Sequence, residues 1–155
     1  PSRKVSSYDI PAIARGRRAK ELGFDGRRHS MAEDGASKDD RPGRPPFIPG
    51  TPEKFDAVTA APENHEVVFE NDKVRVVKVV VRPGELENMH THRWPSVFLV
   101  SSFPDLNYFT QDGTSTPRTG GRREGVPAWI EPEGIHAVEN IDDRPFEGIR
   151  IELKE

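Results

Sequence analysis

Cysteine is absent from the 155 residues. That excludes a disulfide framework, a thiolate zinc or iron–sulfur centre and a cysteine nucleophile, so any metal must sit on nitrogen and oxygen ligands. Long apolar runs are missing too. The longest are as short as Val97 to Val100, against the roughly 18 to 20 apolar residues that a membrane-spanning helix needs. No charged-then-apolar leader opens the sequence, and the expectation is a cytoplasmic protein with no membrane partner. Neither sign of charge predominates: 23 basic side chains face 26 acidic ones, for a formal net charge of −3. Such a chain has no general attraction for polyanions, which argues against nucleic acid as a partner. There is no phosphate-cradling glycine loop, nucleophile elbow, zinc-finger or dinucleotide-binding pattern.

What is present divides near residue 60. Residues 1 to 60 carry 12 Lys/Arg against 9 Asp/Glu and hold 7 of the 15 prolines, while residues 61 to 155 carry 11 against 17. Proline lacks the N–H and pushes its predecessor toward extended backbone, so the stretch from Arg41 to Gly50 cannot continue a helix or a ladder. Residues 1 to 60 therefore read as an extended arm. Within it a short helix is predicted from Asp9 as cap to Gly23 as stop, with Arg15, Arg17, Arg18 and Lys20 on a solvated basic face. Residues 24 to 40 read as loop.

From about residue 61 the chain becomes short β-branched and aromatic runs broken by Gly, Pro, Asn and Asp, the pattern of an all-β sandwich or barrel. Eight strands are predicted: Glu66 to Glu70, Val74 to Arg82, Leu86 to His92, Ser96 to Ser101, Asn107 to Thr110, Val126 to Ile130, Ile135 to Asn140 and Phe146 to Leu153. Asn71-Asp72, Pro83-Gly84 and Asp112-Gly113 supply tight-turn chemistry. Arg75, Lys78 and Arg82 do not share one parity, which predicts a bulge near Val76 and Val77. Gly113 to Gly125, with Arg118, Arg122 and Arg123, reads as a mobile loop.

His90 and His92 are one residue apart on a predicted strand, so both rings face the same side. His136 opens another strand after the Pro132-Glu133-Gly134 turn and can converge on them if the two strands are neighbours. Three neutral imidazoles would leave coordination positions open, as a catalytic metal requires. The plain alternative is a surface pair on an edge strand and a turn histidine.

The frame around these residues resembles the cupin superfamily, small β-barrels with two motifs. The first matches Gly84, His90, Thr91 and His92. The second matches Gly125, Pro132, Gly134, His136 and Asn140, with one residue more before Pro132 and one fewer before His136. The resemblance covers residues 61 to 155 and implies one double-stranded β-helix, or jelly-roll, barrel. It implies that His90, His92 and His136 are metal ligands, and that Gly84, Gly134 and Pro132 form the turns. The family's glutamate ligand would fall at Ser96 or Val97, so the implied site is three-histidine. Such a site suits iron first, as in dioxygenases of this fold, with zinc, manganese, nickel or copper as alternatives. His90 to Val97 together with Phe69 to Arg75 looks like small bacterial cupins labelled β-alanine degradation proteins. Family habit implies a homodimer acting on a small-molecule substrate.

Other residues complete the expectation. By parity Glu85 and Glu87 point outward, while Leu86 and Asn88 share the histidine face. Tyr108, the only phenol of the barrel region, and Arg93 are candidate catalytic residues, the first as acid or hydrogen-bond donor, the second, with Arg75 and Arg150, as a carboxylate fork. Trp94 and Trp129 read as rim or core packing or as pocket walls. His65 and His29 are not expected to bind metal. Two rival readings stand beside the enzyme: a non-catalytic cupin that binds a small ligand or metal, and an interaction protein working through its basic arm.

Overall fold

The computed structural model describes residues 43–120 and 124–154, all within one compact unit. The helix expected from Asp9 to Gly23 and its basic face, residues 24 to 40, His29, Arg122 and Arg123 lie outside the described residues. A 3-10 turn (Glu53–Phe55) and a four-residue helix α1 (Ala57–Ala60) precede nine strands. These are β1 (His65–Glu70), β2 (Val74–Val81), β3 (His90–His92), β4 (Ser96–Ser102), β5 (Leu106–Thr110), β6 (Ser115–Arg118), β7 (Pro127–Ile130), β8 (Glu133–Asn140) and β9 (Phe146–Leu153). All strand pairings are antiparallel.

Strand order is β1-β2-β9-β4-β7 in one sheet and β3-β8-β5-β6 in the other. The chain passes from the first sheet to the second and back as β2 leads to β3, β3 to β4 and β4 to β5, then again from β6 to β7, β7 to β8 and β8 to β9. That winding is the jelly roll, or double-stranded β-helix, expected from the sequence. The turns at Gly84 (φ 74°) and Gly113 (φ 86°) fall where predicted, in the left-handed region that glycine tolerates.

Four local expectations are corrected. Ser115–Arg118, read as loop, is a strand paired with Leu106 to Phe109. It lies at the sheet edge, where a proline such as Pro117 costs no ladder bond. The strand expected from Leu86 to His92 shrinks to β3, preceded by an isolated bridge from Leu86 to Glu139. The register slip falls on β1, between Val67 and Phe69, opposite Val77 and Val76, while β2 pairs with β9 without interruption. β2 therefore alternates cleanly, and its inward set is Arg75, Val77, Val79 and Val81. Gly134 sits within β8 rather than in a turn.

Residues 43 to 60, part of the expected arm, pack on the barrel. The Gly134 N–H donates to Pro45 O (2.7 Å) and the Phe47 N–H to Pro132 O (3.1 Å), and Pro46 bridges Glu133. A Cβ on Gly134 would lie 2.6 Å from Pro46 O, so this glycine is required for the close approach. Asp56 caps α1 by accepting from Val58 N, and Ala57 and Ala61 are buried beneath it.

Inward side chains are layered along the strands. The rung Arg75, Glu152 and Ser96 runs across β2, β9 and β4. Two residues along each strand the inward positions become Val77, Arg150 and Phe98, and two further on Val79, Gly148 and Val100. The barrel is thus polar toward one end. At the other, Val77, Val79, Val81, Phe98, Val100, Leu106, Ile130 and Phe146 form the apolar core, with Phe146 edge-on to Phe98 and Phe103 at centroid distances of 5.9 and 5.5 Å. Gly148 allows this packing: a Cβ there would meet Phe98 Cε2 at 2.7 Å and Leu99 O at 2.8 Å. Gly148→Ala is therefore expected to lower stability by about 1 to 3 kcal/mol through overpacking. Urea denaturation checks this, and an unchanged midpoint would contradict the packing described.

Candidate functional site

Four imidazoles converge in the polar end of the barrel. His90 and His92 come from β3, His136 from β8 and His65 from the first position of β1. All four are buried. The predicted triad is brought together because β3 pairs directly with β8 and sets His90 opposite His136. Their ring centroids lie 4.5 Å apart, with His92 5.1 Å from His90 and 5.7 Å from His136. His65, not expected at the site, lies 4.5 Å from His90 and 5.3 Å from His92.

Each ring has its Nδ1 committed to an acceptor. The partners are Ala61 O for His65 (3.1 Å), Asn88 O for His90 (2.8 Å), the Glu152 carboxylate for His92 (2.9 Å) and Gly134 O for His136 (2.8 Å). A carbonyl or carboxylate oxygen can only accept, so every Nδ1 carries the proton and every Nε2 keeps its lone pair. Burial is the first cause that holds all four rings below the usual histidine range, His65 at about 3. The Arg150 charge adds to it for His92, and for His90 the nearby His136 ring opposes its taking up a proton. The rings are thus neutral at neutral pH, the state in which imidazole ligates metal.

The donor set fits a divalent ion. Three overlapping groups have one potential ligand atom per residue, all within 4.8 Å of one another: His65, His90 and His92; Glu87, His90 and His136; His92, Glu133 and His136. Neutral nitrogen donors with few carboxylates match the metals named from sequence and do not match calcium or magnesium.

Carboxylates and guanidinium groups surround the rings. Behind His92, Glu152 is fully buried and accepts from Arg75 Nε through its other oxygen (2.5 Å). Arg75 is held in turn by Asp56, with Nη1 2.9 Å from Oδ1. This buried chain from Asp56 to His92 fixes the ring and raises its donor strength. Arg150 faces the lumen, donating to Ser96 Oγ (2.9 Å) and Glu133 Oε2 (2.7 Å). Its Nη2 has no hydrogen-bond partner. Ser96, one of the two positions where a motif glutamate was expected to be missing, holds an arginine. Burial works to raise the Glu133 carboxyl, but the charges of Arg44 and Arg150 outweigh it and hold Glu133 well below the usual range.

Glu87 contradicts the expectation that it points outward. It is buried, with Oε1 3.8 Å from His90 Nε2 and Oε2 without a partner. The parity rule failed because residues 87 to 89 are not strand and the register shifts between His90 and His92. Burial raises the Glu87 carboxyl well above its ordinary value. Leu86 and Asn88, expected on the histidine face, are exposed.

Tyr108 is at the site: buried, stacked on His136 at 5.0 Å and 11°, and lining the same cavity. Its hydroxyl has no hydrogen-bond partner, and burial raises it above the ordinary phenol range. Arg93 is not. Its Nε lies 3.3 Å from Asp56 Oδ2 and its Nη1 3.3 Å from Glu53 Oε1, outside the cavity lining. Trp94 also lies outside, beneath Arg75 at 4.7 Å, and half-exposed Trp129 donates to Glu131 (2.9 Å). The cavity encloses about 760 Å³ with its mouth and changes from histidine and charged walls to Val79, Phe98, Val100 and Phe146.

His65 carries no parity signal, since Val67 and Phe69 on the same strand are exposed and the register slips between them. Glu87 carries none either.

No protein-family model matches the chain. No curated protein matches it either. Among solved structures, it is similar to a cupin domain from Bordetella pertussis at 23% identity, over 73% of this chain and 98% of that one, with a TM-score of 0.49. A double-stranded β-helix protein from Klebsiella pneumoniae shares 23% identity over 57% of this chain and 70% of its own, with a TM-score of 0.44. A DMSP lyase from Ruegeria pomeroyi shares 14% identity over 55% and 40%, with a TM-score of 0.38.

Proposed function

We propose that the protein is a metal-dependent cupin acting on a small organic molecule, with His90, His92 and His136 holding a divalent ion at the inner end of the cavity. The observation that carries this reading is the tautomer lock: the three Nδ1 atoms each have an acceptor within 2.9 Å, so each Nε2 keeps its lone pair, on rings whose centroids lie 4.5 to 5.7 Å apart. Had the rings been merely structural, the Nε2 atoms would be expected to find partners as the Nδ1 atoms do. A bound divalent ion supplies Lewis acidity and, if it is iron, dioxygen chemistry.

The chain's own residues define the rest of the chemistry. Arg150 Nη2 and the Tyr108 hydroxyl are buried donors without partners. They suit a substrate with a carboxylate or carbonyl oxygen, which would satisfy both. Burial raises the Glu87 carboxyl beside His90, a shift that suits it to deliver a proton to a basic atom of the substrate. The apolar wall of Val79, Phe98 and Val100 receives the rest of a small molecule and excludes water.

The test is elemental analysis of protein purified without chelator or nickel resin, beside the triple variant His90→Ala, His92→Ala, His136→Ala. Near-stoichiometric metal that disappears in the variant is the expected result. Iron, with dioxygen uptake on substrate screening, would identify an oxygenase, whereas metal without any turnover would make the protein a binding module. No metal in the wild type after reconstitution with iron, manganese and zinc would overturn the reading.

A further inference from the structure

We propose that His65 is a fourth imidazole ligand of the same ion, so that the position left by the missing motif carboxylate is taken by a ring from the opposite sheet. The inference rests on the metal site proposed above and goes beyond it in ligand number, donor type and source strand. His65 opens β1 in the five-stranded sheet, while His90, His92 and His136 all stand on the four-stranded sheet. Facing sheets of a barrel present their inward residues to one lumen, which brings this ring beside His90 and His92.

Three observations carry it. The ligand atoms of His65, His90 and His92 lie within 4.8 Å of one another, as close a group as the other two in the cavity. Its Nδ1 bonds to Ala61 O (3.1 Å), the same tautomer lock as the other rings have, and its Nε2 has no partner. The ring is 3% exposed and lines the same cavity as the other three imidazoles. Ala61 closes the connection to α1 by bonding its own N–H to Ala57 O (2.9 Å), so the packed segment before the barrel orients the fourth ring.

Glu87 is the competing fourth donor, since it groups with His90 and His136. Glu87 would offer an oxygen and His65 a nitrogen, and donor type therefore separates the two. Four nitrogen donors favour a tetragonal or tetrahedral ion, and a fully nitrogen set favours copper or zinc over manganese.

The test loads full-length protein with Cu(II) and counts coordinated imidazoles from the nitrogen hyperfine pattern by continuous-wave and pulsed electron paramagnetic resonance, with no substrate or turnover involved. Wild type is expected to show four imidazoles, and His65→Phe three, with Cu(II) affinity lowered by about tenfold or more. Glu87→Gln is expected to keep four. Three imidazoles in wild type, or a His65→Phe spectrum identical to wild type, would overturn the fourth-ligand assignment while leaving the three-histidine site standing. An imidazole count unchanged in His65→Phe, with Cu(II) affinity lowered in Glu87→Gln instead, would transfer the role to Glu87. A wild type that takes up no Cu(II) would overturn both readings. The wild-type count decides even if His65→Phe fails to fold.

Discussion

Arg75→Ala is expected to lower the unfolding free energy by about 3 to 5 kcal/mol, against a total of about 5 to 15 kcal/mol for a domain of this kind. Arg75 is 4% exposed and lies between two buried carboxylates, Glu152 at 0% and Asp56 at 5%. Its Nε donates to Glu152 (2.5 Å) and its Nη1 approaches Asp56 Oδ1 at 2.9 Å. Removing it leaves buried Glu152 with only the neutral His92 ring (2.9 Å) and Asp56 with Arg93, whose Nε lies 3.3 Å from Oδ2, as its remaining cation. It also removes the cation stacked on Trp94 at 4.7 Å, a smaller loss. Arg75→Lys is expected to recover part of the stability, because one ammonium can answer one carboxylate but not the pair. Urea denaturation followed by tryptophan fluorescence reads all three proteins. A loss under about 1 kcal/mol for Arg75→Ala would show that the chain from Asp56 to His92 does not hold this end of the barrel.

The metal-free protein is expected to lose stability steeply on mild acidification, between pH 6.5 and about 4.5. His65 titrates near 6.5 in the unfolded chain and at about 3 when folded. Below 6.5 the unfolded state binds a proton that the folded state refuses, so the stability from this ring is whole above 6.5 and drains as pH falls toward 3. His90, His92 and His136 shift in the same direction, burial being the first cause for each. Each imidazole contributes a slope of up to about 1.4 kcal/mol per pH unit. Glu133, held low by Arg44 and Arg150 despite its burial, adds the same sign below its ordinary 4.5. Glu87 has the opposite sign: its raised carboxyl favours the folded state on the acid side and loses that contribution as pH rises past 4.5. One such group cannot offset four imidazoles. Thermal unfolding measured from pH 7.5 to 4.5 in chelator should show a falling midpoint. A flat profile to pH 5 would mean that the rings are not held neutral together.

Much of the fold was legible because its signals are local. The β2 valines, the turn glycines Gly84 and Gly113, and the strand runs ending at Asn140 and Leu153 each depend on a few neighbouring residues, and strand periodicity is a property of the chain itself. β6 was not legible, since Ser115, Thr116, Pro117 and Arg118 have no apolar alternation. They become a strand only by pairing with β5 at an open edge. Arg75 misled for a related reason. A charge on the inward parity suggested a bulge, but Glu152 and Asp56 already stood inside to receive it, and the slip fell on β1 instead.

The site divides in the same way. His90 and His92 could be paired from spacing alone, and His136 joined them through a motif with fixed turn residues. Arg150 had two equally open faces, and only the rung formed by Ser96 on β4 and Glu133 on β8 turned it inward. Arg93 follows His92 in sequence yet is drawn off by Asp56 and Glu53. Both of these carboxylates precede the barrel in sequence.

The sequence by itself determined an all-β barrel, a common face for His90 and His92 and the absence of thiol chemistry, because each follows from residue type and short-range spacing. Only the tertiary structure decided that His65 and Glu87 enter the site, that Tyr108 stacks within it and that Arg93 does not. Convergence across two sheets depends on which strands pair and at what register, and local periodicity cannot encode where distant strands meet.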